Sequence, residues 1–142
     1  MSKGNTFEDD LLKLIFNATA IANLADNAAS SPLTELYVSL HTADPGEAGD
    51  QTTNEATYTS YARVAVARTT GGWSVSGGSV SPVSEISFPQ ATGGSETITH
   101  FAIGTATSGA GKILYSGTVT PNIAVSSGVT PKLTTGSSVT ED

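Results

Sequence analysis

One segment of this 142-residue chain carries a sustained helical period, and it lies at the very start. Phe7, Leu11, Leu14, Ala18, Ile21 and Ala25 recur at alternating spacings of four and three, which draws one stripe along a helix. Leu12, Ile15 and Ala22 widen the stripe, Asp10, Lys13 and Asn17 mark the opposite face, and Phe16 falls near the polar side. The spacing predicts a helix over 6–26, preceded by a flexible arm over 1–5. Thr6 and Asp9 occupy capping-box positions, with Asp in place of Glu or Gln, and Glu8, Asp9 and Asp10 complement the positive end of the helix dipole. An amphipathic helix must hide its apolar side, so this one has to lie on a β-body or on a partner.

After Pro32 the pattern changes to period two. Leu36, Val38 and Leu40 alternate with Tyr37, Ser39 and His41, which predicts a half-buried strand. A polar loop follows from Thr42 to Ser60, carrying Asp44, Glu47, Asp50 and Glu55 with no basic residue among them. Loops of this length inside a compact domain usually have a task. Further strands are predicted at Tyr61–Thr69, Trp73–Val75, Ser79–Val83, Glu85–Phe88, Thr97–Gly104, Lys112–Gly117, Asn122–Val125 and Val129–Thr134. Three prolines, Pro82, Pro121 and Pro131, each follow a Gly and a short stretch that contains a β-branched residue; lacking an N–H, each should end a strand or lie on an edge. Short strands separated by turn signals predict an antiparallel sandwich or barrel over 33–135, followed by an acidic tail over 136–142. One domain is expected for the whole chain.

The chemistry excludes more than it offers. Cysteine is absent, so thiolate zinc sites, disulfides and Cys nucleophiles are impossible. The net charge is -7 and the six basic residues are scattered, which argues against direct nucleic-acid binding. The helix is too short and too polar to span a bilayer, and its acids separate Lys3 from the apolar run as no signal peptide would. His41 and His100 begin no metal-ligand spacing, and no Gly-x-Ser-x-Gly elbow appears. Gly109-Ala110-Gly111-Lys112 hints at a phosphate loop, but Ala106 and Ile113 stand where the pattern needs Gly and Ser or Thr, so it reads as a hairpin turn. Asp44, Gly49 and Glu55 fit three places of a calcium loop while Gly46 and Ala48 replace two ligands, leaving a solvated loop or a protein contact. No enzyme activity, cofactor or metal is expected.

Several segments are similar to a known family. Leu11–Asn17, Leu36–Pro45, Tyr61-Ala62-Arg63, Ile98–Phe101 and Leu114–Gly117 resemble small virion proteins of tailed bacteriophages, and in length and arrangement the capsid cement, or decoration, proteins of short-tailed Bordetella phages. That resemblance implies a jelly-roll β-sandwich, a homodimer, and a place on the outer capsid surface clamped across neighbouring major capsid proteins, reached after assembly in the host cytoplasm. Related sequences are also labelled tail or fibre proteins, which implies the alternative of a receptor-binding β-sandwich module. The expected contact residues are Phe7, Leu11 and Phe16 on the helix, Asp44, Glu47, Asp50 and Glu55 on the acidic loop, and Tyr58 at its end. Partly exposed acids would steer docking, and apolar anchors would supply affinity.

Overall fold

The computed structural model describes residues 3–21, 24, 25, 27 and 31–141. Among them, helix α1 (Asn5–Asn17) precedes the strands β1 (Glu35–His41), β2 (Val64–Ala67), β3 (Trp73–Ser76), β4 (Ser79–Pro82), β5 (Ile86–Ser87), β6 (Ser95–Gly104), β7 (Ile113–Ser126), β8 (Lys132–Leu133) and β9 (Val139–Thr140). The protein is mainly β, with antiparallel strand pairs and an N-terminal helix, as the alternation predicts. The strands form sheets of order β2-β1-β6-β7, β3-β4-β9 and β5-β8. Contacts gather the residues into two compact units: Met1–Glu35 with Val66–Glu85 and Leu133–Asp142, and Leu36–Ala65 with Ile86–Lys132.

In the first unit α1 packs on β3 and β4. The helix is shorter than its apolar period predicts. It stops at Asn17 because Ala18 turns left-handed at φ 53°, and the amides of Ala18 and Thr19 both fold back onto the Lys13 carbonyl. The predicted capping box also fails. Gly4 is the N-cap and makes no side-chain cap, while Asp9 reaches away to accept the Gly78 amide at 2.6 Å. The buried face is rotated from the expected stripe: Leu12 and Phe16, four residues apart, are 0% exposed, whereas Phe7 is 41% exposed. Trp73 causes this rotation. Its indole takes the Phe16 ring edge-on at a centroid distance of 4.9 Å, and its carbonyl accepts the Asn17 amide at 3.1 Å.

Gly77 and Gly78 turn β3 into β4 with both φ angles positive, at 60° and 71°, the two-residue turn that matches strand twist. The predicted tail adds a strand here: Val139 pairs with Val80 and Thr140 with Ser79. So short a segment has no period to read. Lys3, expected in a free arm, holds the Glu141 carboxylate at 2.8 Å.

In the second unit β6 lies between β1 and β7. Tyr37 pairs with Gly104 and His41 with His100, so the two central strands are in register over their common length. The half-buried expectation for β1 is corrected: Val38, Ser39, Leu40 and His41 are all buried, on both faces. The predicted strands Lys112–Gly117 and Asn122–Val125 are two ends of the single strand β7. Between them Thr99 alone stands opposite Val119, Thr120, Pro121 and Asn122, a bulge that absorbs the proline without ending the strand.

Candidate functional site

His41 has a polar environment that resembles a reaction centre in its distances. Its Nδ1 lies 2.8 Å from the Thr53 carbonyl, which can only accept, so Nδ1 carries the proton; Nε2 then accepts from Ser39 Oγ at 2.9 Å. Yet Ser39 and His41 are both 0% exposed, and the group orienting the imidazole is a carbonyl rather than a carboxylate. Burial dominates its titration and pushes the imidazole below its ordinary value of 6.5. The pair ties β1 to the acidic loop. His100 sits in β6 with Thr99 Oγ1 2.8 Å from its Nδ1. Among the described residues no three His, Asp or Glu side chains gather as a metal site, and no helix is long and apolar enough to cross a membrane.

Beside the His41 contact and the Glu96 carboxylate, which accepts the Thr57 and Tyr58 amides, two internal clamps fasten the loop 42–60. Gln51 is fully buried; its Nε2 donates to the Tyr37 carbonyl at 3.1 Å, and its Oε1 accepts from the Ala106 amide at 3.0 Å. Room for it exists because residues 104 and 111 are glycines: a Cβ on Gly104 would lie 2.2 Å from Gln51 Cδ, and one on Gly111 2.1 Å from Oε1. The second clamp is ionic. Arg63 grips both oxygens of Glu55, Nε to Oε1 at 2.6 Å and an Nη to Oε2 at 2.8 Å, while its other N–H groups donate to the carbonyls of Ala106 and Gly109. Tyr61 Oη donates to Glu55 Oε1 at 3.0 Å and accepts from the Leu40 amide. The carboxylate raises the Arg63 guanidinium further, and burial pushes the Tyr61 phenol far up.

These clamps account for two sequence readings. The segment 105–112 joins β6 and β7 as the expected hairpin loop, and its carbonyls face a guanidinium, the reverse of a phosphate cradle. Glu55, expected at an outer contact, is instead half-buried and paired with Arg63, a base that lies outside the loop and so was not counted with it.

The other expected contact residues divide by exposure. Phe16 and Tyr58 are 0% and 3% exposed; the Tyr58 hydroxyl donates to the Pro89 carbonyl, and burial followed by the nearby Glu96 charge pushes its phenol up to about 12. Leu11 is half-buried and Phe7 exposed. Asp50 accepts from the Thr52 hydroxyl and amide, bonds that hold its carboxyl below the usual value. Asp44 turns the loop tip by accepting the Gly46 amide at 2.9 Å, and Glu47 has no hydrogen bond or ion pair among the described residues. Both are exposed. The loop therefore leaves Asp44 and Glu47 exposed, holds Asp50 in bonds to Thr52, and turns Glu55 inward to Arg63.

The polar clusters of this β-rich body fasten its own loops. The profile of the family described as Podophage GP4 fiber I protein gp80 matches residues 5–141, and the chain belongs to that family, a family of phage virion structural proteins. No curated protein matches the chain.

Proposed function

We propose that the protein is a non-enzymatic component of the phage fibre apparatus, a rigid body that joins neighbouring virion subunits through its exposed surface. The observation that carries this reading is the reach of the family match, which runs from the first helical residue to the residue after β9 in a family named for a fibre protein. The side-chain chemistry narrows the alternative. Trp73 and Tyr58 are 2% and 3% exposed, which removes two rings from a saccharide platform and leaves Tyr37, Tyr61 and Tyr115, all half-buried, for the receptor-binding reading.

The capsid reading, a dimeric cement protein clamped on the outer surface across neighbouring major capsid proteins, is supported by the resemblance to such proteins in length and arrangement. Under either reading the exposed Phe7, Asp44 and Glu47 remain available as contacts, with no role for nucleic acid or membrane. Gold-labelled antibody microscopy of intact virions separates them. Label on the fibres supports the proposal; label over the whole shell replaces it with cementing, and label on neither removes both.

A further inference from the structure

Ser39 has one hydroxyl hydrogen and two acceptors within reach of it. His41 Nε2 lies 2.9 Å from its Oγ and the Ala102 carbonyl 3.4 Å, and both Ser39 and His41 are 0% exposed. Across β1 and β6, Ser39 stands opposite Ala102 and His41 opposite His100, so all four residues share one face of the sheet. While the imidazole is neutral its proton sits on Nδ1 for the Thr53 carbonyl, the serine hydrogen goes to Nε2, and the Ala102 carbonyl is left at the longer distance.

A second proton on the ring reverses one of these bonds and strands no polar group. Nε2–H becomes a donor, the Ser39 oxygen has lone pairs to accept it, and the serine hydrogen turns to the Ala102 carbonyl. Nδ1–H keeps Thr53 and becomes a charge-assisted donor. One proton enters from solvent and none leaves. Of the influences on the ring, burial opposes the charge most; the Thr53 carbonyl and Glu55 in the loop favour it, and Arg63 before β2 and His100 in β6 oppose it. Tyr61, which holds the Leu40 amide, stays uncharged because burial pushes its phenol far up. The loop has further bonds here that contain no titrating atom: the Thr42 amide donates to the Asn54 carbonyl at 2.9 Å, and the Ala56 amide to the Leu40 carbonyl at 2.8 Å.

We infer that His41 is an internal proton receptor with two complete hydrogen-bond states: the folded protein takes up the second proton in place, Ser39 turns from His41 to Ala102, and the loop 42–60 stays fastened. The exposed acids Asp44 and Glu47 thus keep their mount when the interior becomes charged. The same behaviour is expected wherever in the virion the protein sits.

Nitrogen NMR of the histidine rings in the full-length protein follows the titration directly. Near neutrality His41 should carry its proton on Nδ1 and leave Nε2 bare, and below a midpoint under 6.5 both nitrogens should be protonated. Overhauser contacts between the Leu40–Thr42 and Asn54–Ala56 backbones should persist through that transition. Ser39→Ala removes the acceptor of Nε2–H and should lower the midpoint by about one pH unit, an approximately tenfold loss of proton affinity. The wild-type spectra test the two states and the fastening even where Ser39→Ala does not fold. The inference is overturned by a proton on Nε2 near neutrality, by loss of those Overhauser contacts as the ring titrates, by unfolding before it titrates, or by a Ser39→Ala midpoint equal to or above that of the wild type.

Discussion

The guanidinium of Arg68 donates from Nε to the carbonyl of Ile15 at 2.6 Å, and so a side chain just after β2 closes the C-terminus of α1. Its remaining N–H groups reach the carbonyls of Leu14 and Leu33 and the Asn27 amide oxygen. The helix has no basic residue in its last turn, so Arg68 supplies both the hydrogen bonds and the charge that its negative end lacks. Burial lowers the guanidinium from its ordinary value, though it stays charged at neutral pH.

Replacing Arg68 by Met should therefore cost about 2 kcal/mol, since the part-buried carbonyls of Leu14 and Ile15 and the exposed one of Leu33 lose a charged donor together. Lysine cannot fork to them, and Arg68→Lys should recover only part of the loss. Urea denaturation followed at a helix-sensitive wavelength measures both. A wild-type midpoint in Arg68→Met would mean that the helix end is held by other contacts.

Acid should weaken the fold before its carboxylates titrate. The folded His41 pKa is depressed below 6.5, so near neutrality and below it the unfolded chain binds a proton that the folded protein excludes. This contribution is complete above about pH 6.5 and declines as pH falls towards the folded value, by at most about 1.4 kcal/mol per pH unit. Urea midpoints should be lower near about pH 5.5 than near about pH 7.5, and His41→Gln should flatten that difference. An undiminished slope in the variant would assign it to other groups.

Gly104 and Gln51 should be strongly coupled. Alanine at 104 would place its methyl 2.2 Å from Gln51 Cδ, and the amide cannot retreat while it holds Tyr37 and Ala106. Gly104→Ala should be costly in the wild type and cheaper in a Gln51→Ala background, with a coupling of about 1–3 kcal/mol in a double-mutant cycle. Additive effects would show that the glycine serves the backbone and not the amide.

Arg63→Met should destabilise the second unit by about 3 kcal/mol, because Glu55 and the Ala106 and Gly109 carbonyls lose their shared donor. Hydrogen exchange at residues 44–58 and 105–112 should rise in this variant. Unchanged exchange in both loops would leave the clamp without a role.

The elements with local causes were legible in the sequence. The place of β1, though not its burial, follows its alternation, β6 lies where a strand is predicted between turn signals, and the existence of α1 follows its stripe. What was hidden depends on distant partners. Arg68 and Trp73, more than fifty residues after the helix, fix its end and its buried face. Pro121 suggests a broken strand because a proline cannot join a ladder, and only the register with β6 shows the bulge that accommodates it. The acidic loop was visible as a charge pattern, but the removal of Glu55 from its outer face needed Arg63, and Tyr58 is buried through a carbonyl at Pro89.

The two clamps on the acidic loop also divide it by function. From Gln51 to Glu55 it is bolted to the sheet, while Asp44 to Gly49 forms a tip closed by its own turn bonds, Gly46 to Asp44 and Gly49 to Gly46. Changes of length or charge in the tip leave the bolts untouched. The fold thus offers an interchangeable head on a fixed mount, where descendants of this chain can alter the length and charge of the tip without refolding the body that carries it.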